Sequence, residues 1–268
     1  MVSDTHNHTC HFSFDAEMSI YELIKAAKDN EISSVAVTEH YELGFDDQIF
    51  DIPQYADAFK TWKSLSQNKV NLLMGIEFGY QKHLASAVDI LAESIPFDQI
   101  ILSNHLVDGQ DIYYYRECYK RPKEELYSEY IEAMAEMAEL CNNYDIIGHY
   151  DYINRYSNYR NKQMLYSDCP KAFDHLFEVM TAKNKCLEIN TRSIHKLRKR
   201  RVKEYMPDSA IIKRYIEMGG KMISLGSDSH TANTLGMHFD ETVEYLKANG
   251  INEVYHFEKR VPVAERFV

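Results

Sequence analysis

The sequence is poor in the residues that break a chain or staple it. Ten glycines and six prolines in 268 residues exclude a collagenous or low-complexity design. The five cysteines, at 10, 118, 141, 169 and 186, are odd in number and scattered, which leaves neither a CxxC pair nor a disulfide framework. Reduced thiols are the expectation. No apolar run approaches the roughly 20 residues that a transmembrane helix needs. The opening MVSDTHNHTC has no basic segment followed by an apolar stretch, so a cytoplasmic protein without a membrane partner is expected. Positive charge is scarce as well. Lys plus Arg at 30 against Asp plus Glu at 41 gives a net charge of −11, a field that repels a polyphosphate backbone and disfavours nucleic acid as a partner. A small anion remains compatible, because metal ions or arginines can reverse the field inside one pocket.

Apolar content, at 45%, is sufficient for an enzyme-sized core. Short apolar runs recur as VAVT (35–38), LLMGIEF (72–78), QIILS (99–103), DIIGHY (145–150), CLEIN (186–190) and MISLGS (222–227). They lack clean alternation, as buried parallel strands do. Amphipathic segments lie between them. One covers 18–30 with Ser19 as N-cap, a second is opened by Pro122, and a third is opened by Pro207 and closed by Gly219 and Gly220. With VSDTH as a first strand the pattern reaches seven βα units, an α/β chain closing into a barrel. No repeat, linker or composition shift divides it, so residues 1–268 are read as a single domain. The stretch 150–168 is rich in Tyr, Asn and Arg and follows a strand, where an active-site wall belongs. The basic run HKLRKRRVK at 195–203 reads as a solvated face.

Histidines carry the chemical signal. In DTHNHT, His6 and His8 are two apart, and on a strand both imidazoles project to one side. Further strand ends carry Glu39 and His40, Glu77, His105, His149, and Asp228 with His230. In an α/β barrel the C-terminal strand ends converge on one face. With Asp15 in the loop after the first strand, the candidate ligands number nine: His6, His8, Asp15, His40, Glu77, His105, His149, Asp228 and His230. That is too many for one tetrahedral ion and suits two or three divalent ions.

With these positions filled, the chain resembles the polymerase and histidinol phosphatase (PHP) family of metal-dependent phosphoesterases over nearly its whole length. The opening HxH, TEH, GIEFG, the strand-end histidines 105 and 149 and the closing DxH carry the resemblance. The ligand of the first loop is assigned to Asp15, with His11 the competing choice. The resemblance implies a distorted (β/α)7 barrel and a trinuclear centre. It suggests His6, His8, Glu77 and Asp228 around one ion, Glu77, His105 and His149 around a second, and Asp15, His40 and His230 around a third. Glu77 is the best bridge, because a carboxylate offers two oxygens. Zinc is favoured, with iron or manganese as alternatives.

Within the family the chain is most similar to the stand-alone phosphatases that release L-histidinol from L-histidinol phosphate in histidine biosynthesis. The implied reaction is direct attack of a metal-bridging hydroxide on a phosphomonoester, without a phosphoenzyme, with Glu77, Asp228 and His230 as catalytic groups. Arg192, Arg160 and His195 are the candidate phosphate donors, since guanidinium makes a two-point contact with phosphate oxygens. Phe14, Tyr41, Glu42 and Tyr80 are candidates for the organic half or, individually, for core packing. A PHP-type nucleotide phosphoesterase or 3′-5′ exonuclease would use the same metals, and a metal-binding structural domain is the non-enzymatic alternative. Sequence gives no oligomeric state.

Overall fold

A buried parallel strand needs both faces covered, and every apolar run expected to be such a strand contributes to one sheet. The computed structural model describes residues 2–66 and 70–267. Its first half runs α1 (Ile20–Asp29), β1 (Ser34–Glu42), α2 (Ile52–Leu65), β2 (Asn71–Gly79), α3 (Ala85–Ala92), β3 (Gln99–Ser103), β4 (Leu106–Val107), β5 (Gln110–Asp111) and α4 (Lys123–Leu140). The second half runs β6 (Ile146–Ile147), α5 (Pro170–Ala182), β7 (Cys186–Asn190), α6 (Thr191–Lys199), α7 (Ser209–Glu217), β8 (Ile223–Gly226), α8 (Phe239–Ala248), β9 (Glu253–Glu258) and β10 (Val261–Arg266). Strands pair in parallel in the order β1-β2-β3-β6-β7-β8. Helix starts follow the sequence signals. Ser19 caps α1 in a capping box with Glu22, and Pro122 precedes α4. Asp208, not Pro207, caps α7 by accepting from Ala210 N at 3.1 Å.

The opening VSDTH is not a regular strand. It lies between β1 and β8 through isolated parallel bridges, Asp4 to Val35 and Asn7 to Ser229. Main-chain bonds alternate between the two sides: Ala36 N donates to Asp4 O at 2.9 Å, Thr5 N to Leu225 O at 2.9 Å, and His8 N to Ser229 O at 2.9 Å. Side chains take the remaining places, since Asn7 N donates to Thr38 Oγ1 at 3.0 Å and Ser227 N to Asp4 Oδ1 at 2.9 Å. The segment thus closes the parallel sheet into a distorted barrel, with the N-terminus serving as the seventh stave.

Two features depart from the expected strands. The run 145–150 shortens to Ile146–Ile147 because His149 N donates to the Glu188 carboxylate at 2.6 Å instead of to a neighbouring strand. The antiparallel hairpin β9–β10 was not anticipated. Its turn residues Lys259 and Arg260 both have positive φ, 51° and 66°, where Asn-Gly would be the recognisable choice. Asp98 supports this turn: its Oδ1 accepts from Lys259 N at 3.0 Å and its backbone oxygen from Arg260 N at 2.9 Å. Arg260 Nε reaches Asp145 at 2.5 Å. The hairpin places Phe257 in a cluster with Ile101, Ile146, Cys186 and Met222, which plugs the barrel at the N-terminal strand ends and leaves the opposite end open.

Because Asp98 Oδ2 also accepts from Met74 N at 2.9 Å, Asp98→Ala strips two main-chain donors, Met74 N and Lys259 N, of their acceptor at once. Equilibrium urea unfolding is expected to show a loss of about 1–3 kcal/mol, with the slope against denaturant unchanged.

Candidate metal centre

Above the apolar plug, the inward positions of the strands become polar. Glu77 on β2 stands at the centre and is fully buried. Its Oε1 accepts from Ser103 Oγ at 2.6 Å and lies 2.9 Å from His149 Nε2 and 3.5 Å from His105 Nε2. Its Oε2 lies 2.8 Å from His40 Nδ1, 3.3 Å from His6 Nε2 and 3.7 Å from His8 Nε2. Around this core, His8 Nε2 is 3.5 Å from Asp228 Oδ1, His40 Nε2 is 3.4 Å from His230 Nε2, and His105 Nε2 is 3.3 Å from His149 Nε2. Asp15 reaches in from the loop, its Oδ2 3.0 Å from His230 Nε2 and its Oδ1 3.7 Å from His40 Nε2.

All nine candidate ligands therefore meet in one place. The donor atoms of eight of them, all but Asp15, form overlapping triplets, each within 4.8 Å: His6, His8 and Glu77; Glu77, His105 and His149; His6, His149 and Asp228; His8, His40 and His230. His6 Nε2, His8 Nε2 and Glu77 Oε2 are buried without a hydrogen-bond partner. Buried polar atoms are normally paired, and lone pairs aimed at a shared point fit divalent cations. The clusters can hold several ions, and the mixed imidazole and carboxylate set suits zinc.

The electrostatics agree with the geometry. Burial alone would raise the Glu77 carboxyl, but the charges of His6 and His40 and the bond from His105 hold it well below the usual range. Burial likewise opposes ionisation of Asp228, and Arg155 and Arg192 overcome it, keeping this carboxyl well below normal. His40 is pushed up to about 9, since the Glu77 charge outweighs its burial. His8 moves the other way through burial and the neighbouring charges of His40 and His230. Asp228 also has φ 51°, a left-handed conformation uncommon for a non-glycine residue. The Asp4 bond to Ser227 N and the Asn7 bridge to Ser229 on either side hold it there.

The remaining expected residues divide. Arg192 lines the open cavity of about 660 Å³ above the centre, and its Nη1 lies 2.6 Å from Asp228 O and 2.6 Å from His230 Nδ1. Arg160 is exposed and is not among the residues lining this cavity. His195 is also outside the lining, with its Nδ1 3.1 Å from His238 Nε2. Phe14 lines the cavity. Tyr41 packs against Phe50 and Phe78 in the core, and Tyr80 is buried. Glu42 borders the cavity, but its Oε1 is engaged with His105 Nδ1 at 2.6 Å. His11, the alternative to Asp15, instead packs against Trp62, with ring centroids 5.2 Å apart and the planes tilted by 44°.

Sequence reasoning missed Arg155, Glu188 and Lys196. Arg155 is buried and binds Asp228 Oδ2 at 2.8 Å, Asn190 Oδ1 at 2.8 Å and Ser193 Oγ at 2.8 Å. It lies in the Tyr- and Arg-rich stretch that drew attention, five positions before the arginine chosen there. A glutamate inside the apolar run CLEIN was the available signal for Glu188. Lys196 lines the cavity, so the basic run is not wholly a solvated face.

Residues 4–192 match the PHP domain, and the chain belongs to the PHP domain family. It is 32% identical over 265 residues, 97% of this chain and 98% of its relative, to the Clostridium acetobutylicum protein named "Probable histidinol-phosphatase". The histidinol-phosphatase of Lactococcus lactis is 28% identical over 257 residues, 95% of this chain and 93% of that protein. The crystal structure of the L. lactis histidinol phosphate phosphatase, complexed with zinc, L-histidinol and phosphate, superposes with a TM-score of 0.86 at 26% identity, covering 98% of this chain and 100% of that one.

Arg155→Met removes the buried partner of Asp228 while keeping much of the side-chain volume. A loss of about 3–5 kcal/mol in the metal-free protein, the scale for breaking a buried ion pair, is expected from denaturant unfolding, and added zinc should recover part of it.

Proposed function

We propose that this protein is a metal-dependent phosphomonoesterase that hydrolyses L-histidinol phosphate to L-histidinol and phosphate, a step of histidine biosynthesis. The observation that carries the reading is the convergence of nine ligand-type side chains, several with buried unpartnered lone pairs, beneath an open cavity. The named relatives and the L. lactis complex support the choice of substrate. The reading treats residues 1–268 as one catalytic domain and goes with a cytoplasmic location, where such biosynthesis belongs. The substrate is a small molecule. A net charge of −11 argues against a nucleic-acid polymer in its place.

His6, His8, Asp15, His40, Glu77, His105, His149, Asp228 and His230 would hold two or three ions, zinc first among the candidates. Bound divalent ions supply a strong nucleophile at neutral pH and compensate the phosphate charge as the ester bond breaks. The chain's own residues do the rest. Glu77 presents one oxygen to each half of the cluster, 2.9 Å from His149 and 2.8 Å from His40. Arg155 keeps Asp228 ionised and fixed. Asp228 and His230, whose Nε2 lies 3.0 Å from Asp15, are the two groups placed to guide a proton toward the departing alcohol oxygen. Arg192 and Lys196 at the cavity wall bring positive charge to the phosphate.

Two measurements test this reading. Elemental analysis of active protein should find two or three divalent ions per chain, and at most one would overturn the multinuclear site. In a phosphate-release assay at equal metal loading, kcat/KM for L-histidinol phosphate should exceed that for an aryl phosphate and a nucleoside monophosphate. A faster nucleotide would favour the nucleotide-cleaving alternative. Absence of turnover in the zinc-loaded protein on all three would favour a structural metal domain.

Arg192→Ala is expected to lower kcat/KM for phosphomonoesters by about 2 kcal/mol, the scale of a lost charge-assisted contact, with Lys restoring charge but not the planar fork. Steady-state kinetics that match the parent enzyme would mean the phosphate binds elsewhere.

A further inference from the structure

Two buried carboxylates outside the proposed ligand set each hold the far nitrogen of a proposed ligand. Glu188 Oε1 lies 2.7 Å from His6 Nδ1, and its Oε2 accepts from His149 N at 2.6 Å and Asn190 Nδ2 at 3.1 Å. Glu42 Oε1 lies 2.6 Å from His105 Nδ1. Glu188 has no exposure and Glu42 is 8% exposed. We propose that Glu42 and Glu188 are positioning residues that fix His105 and His6 as Nδ1–H tautomers and so aim their Nε2 lone pairs at the divalent cations. The inference rests on the metal reading given under Proposed function.

An ionised carboxylate only accepts hydrogen bonds, and a neutral imidazole has one N–H to give. Placing the carboxylate at Nδ1 therefore puts the proton there and leaves Nε2 as the free donor atom. In this structure His6 Nε2 is buried without a hydrogen-bond partner, and His105 Nε2 faces Glu77 and His149. The carboxylate also raises the basicity of the ring it holds. Glu188 joins two ligands from distant segments, since the same side chain that orients the His6 ring pins the backbone of His149.

Neither carboxylate could take its place beside an ordinary residue. Gly79 on β2 is the register partner of Glu42, and a Cβ there would overlap Glu42 Oε2 and come within 2.6 Å of Oε1. A Cβ on Gly226 of β8 would overlap Glu188 Oε1 and lie 2.5 Å from the His6 Cβ. Each glycine thus leaves the hollow in which a charged side chain lies flat against the barrel wall. Glu42, so held, has its Oε1 committed to His105, which argues against its use as the contact for a substrate ammonium.

The test is the rate at which zinc-loaded protein surrenders its metal to a chromophoric chelator in stopped flow. Glu42→Gln and Glu188→Gln should release zinc about 10–100-fold faster than the parent, the usual cost of losing such a partner. The exposed Glu139→Gln should not. Gln at 188 offers a single acceptor oxygen, so it can serve the His6 ring or the His149 N–H but not both, and the larger effect is expected there. Gly79→Ala, which displaces Glu42 without removing it, should accelerate release as Glu42→Gln does, and it keeps the test decisive where Glu188→Gln does not fold. Long-range ¹H–¹⁵N spectra of the parent should show His6 and His105 as Nδ1–H tautomers. Parent-like release from folded, zinc-loaded Glu42→Gln and Glu188→Gln, or Nε2–H tautomers in the parent, would overturn the positioning roles alone. A parent protein that takes up no zinc would overturn the metal reading itself.

Discussion

Five imidazole rings approach the two oxygens of a fully buried Glu77 within 3.7 Å, and most of the molecule can be understood as the means of holding them there. Removing such groups from water without partners costs about 1–3 kcal/mol for each polar atom, and more where charge is involved. The protein partly offsets this cost by setting protonated imidazole against ionised carboxylate, as the raised His40 and the depressed Glu77 carboxyl indicate. Cations held at the same place would take up these lone pairs and release the protons. Metal uptake and stability would then be linked, and the centre would be an internal brace as well as a site.

The brace works because closure of the barrel and assembly of the centre are the same event. His6 and His8 ride on the segment that bridges β1 and β8, so the sheet cannot close without carrying both rings inward, and its edges cannot be covered without them. Glu39 fastens the following loop by accepting from Thr9 N at 3.0 Å and Ser13 Oγ at 2.6 Å. Burial pushes this carboxyl up to about 7 against those hydrogen bonds. The loop so anchored leads on to Asp15. At the other end, β9 and β10 seal the barrel and tie the chain's last segment to its first through Ser3, His256 and Glu265.

Much of this was legible because period-2 alternation and strand-end convergence are geometric rules that act on residue type alone. QIILS and CLEIN match their strands residue for residue, and the ligand-type residues meet as their placement on strand ends implied. The parts that were not legible depend on contacts between distant segments. A charged residue in an apolar strand announces that something buried must pair with it, but the partner of Glu188 lies 182 positions away. Nothing local distinguishes Arg155 from Arg160 either, because a side chain in an irregular stretch points where its neighbours allow. The β4–β5 turn was readable and overlooked: Asp108 and Gly109, with φ of 53° and 73°, are the residues a tight hairpin requires.

The cavity wall above the centre has a different character from its floor. Phe14, Tyr113, Tyr114, Tyr152 and Tyr156 line it, and Arg116 lies over the Tyr156 ring at 4.1 Å. Aromatic faces are electron-rich and attract cations, while Asp111 and Glu117 add negative charge to the same wall. Arg192, bonded to Asp228 O and His230 Nδ1 at 2.6 Å each, and Lys196, also in the lining, supply positive charge. Groups of both signs therefore face a small molecule inside one cavity. The net charge of −11 belongs to the whole chain, whereas Arg155, Arg192 and Lys196 among the cavity-lining residues set a local field inside the cavity that differs from the mean field of the surface.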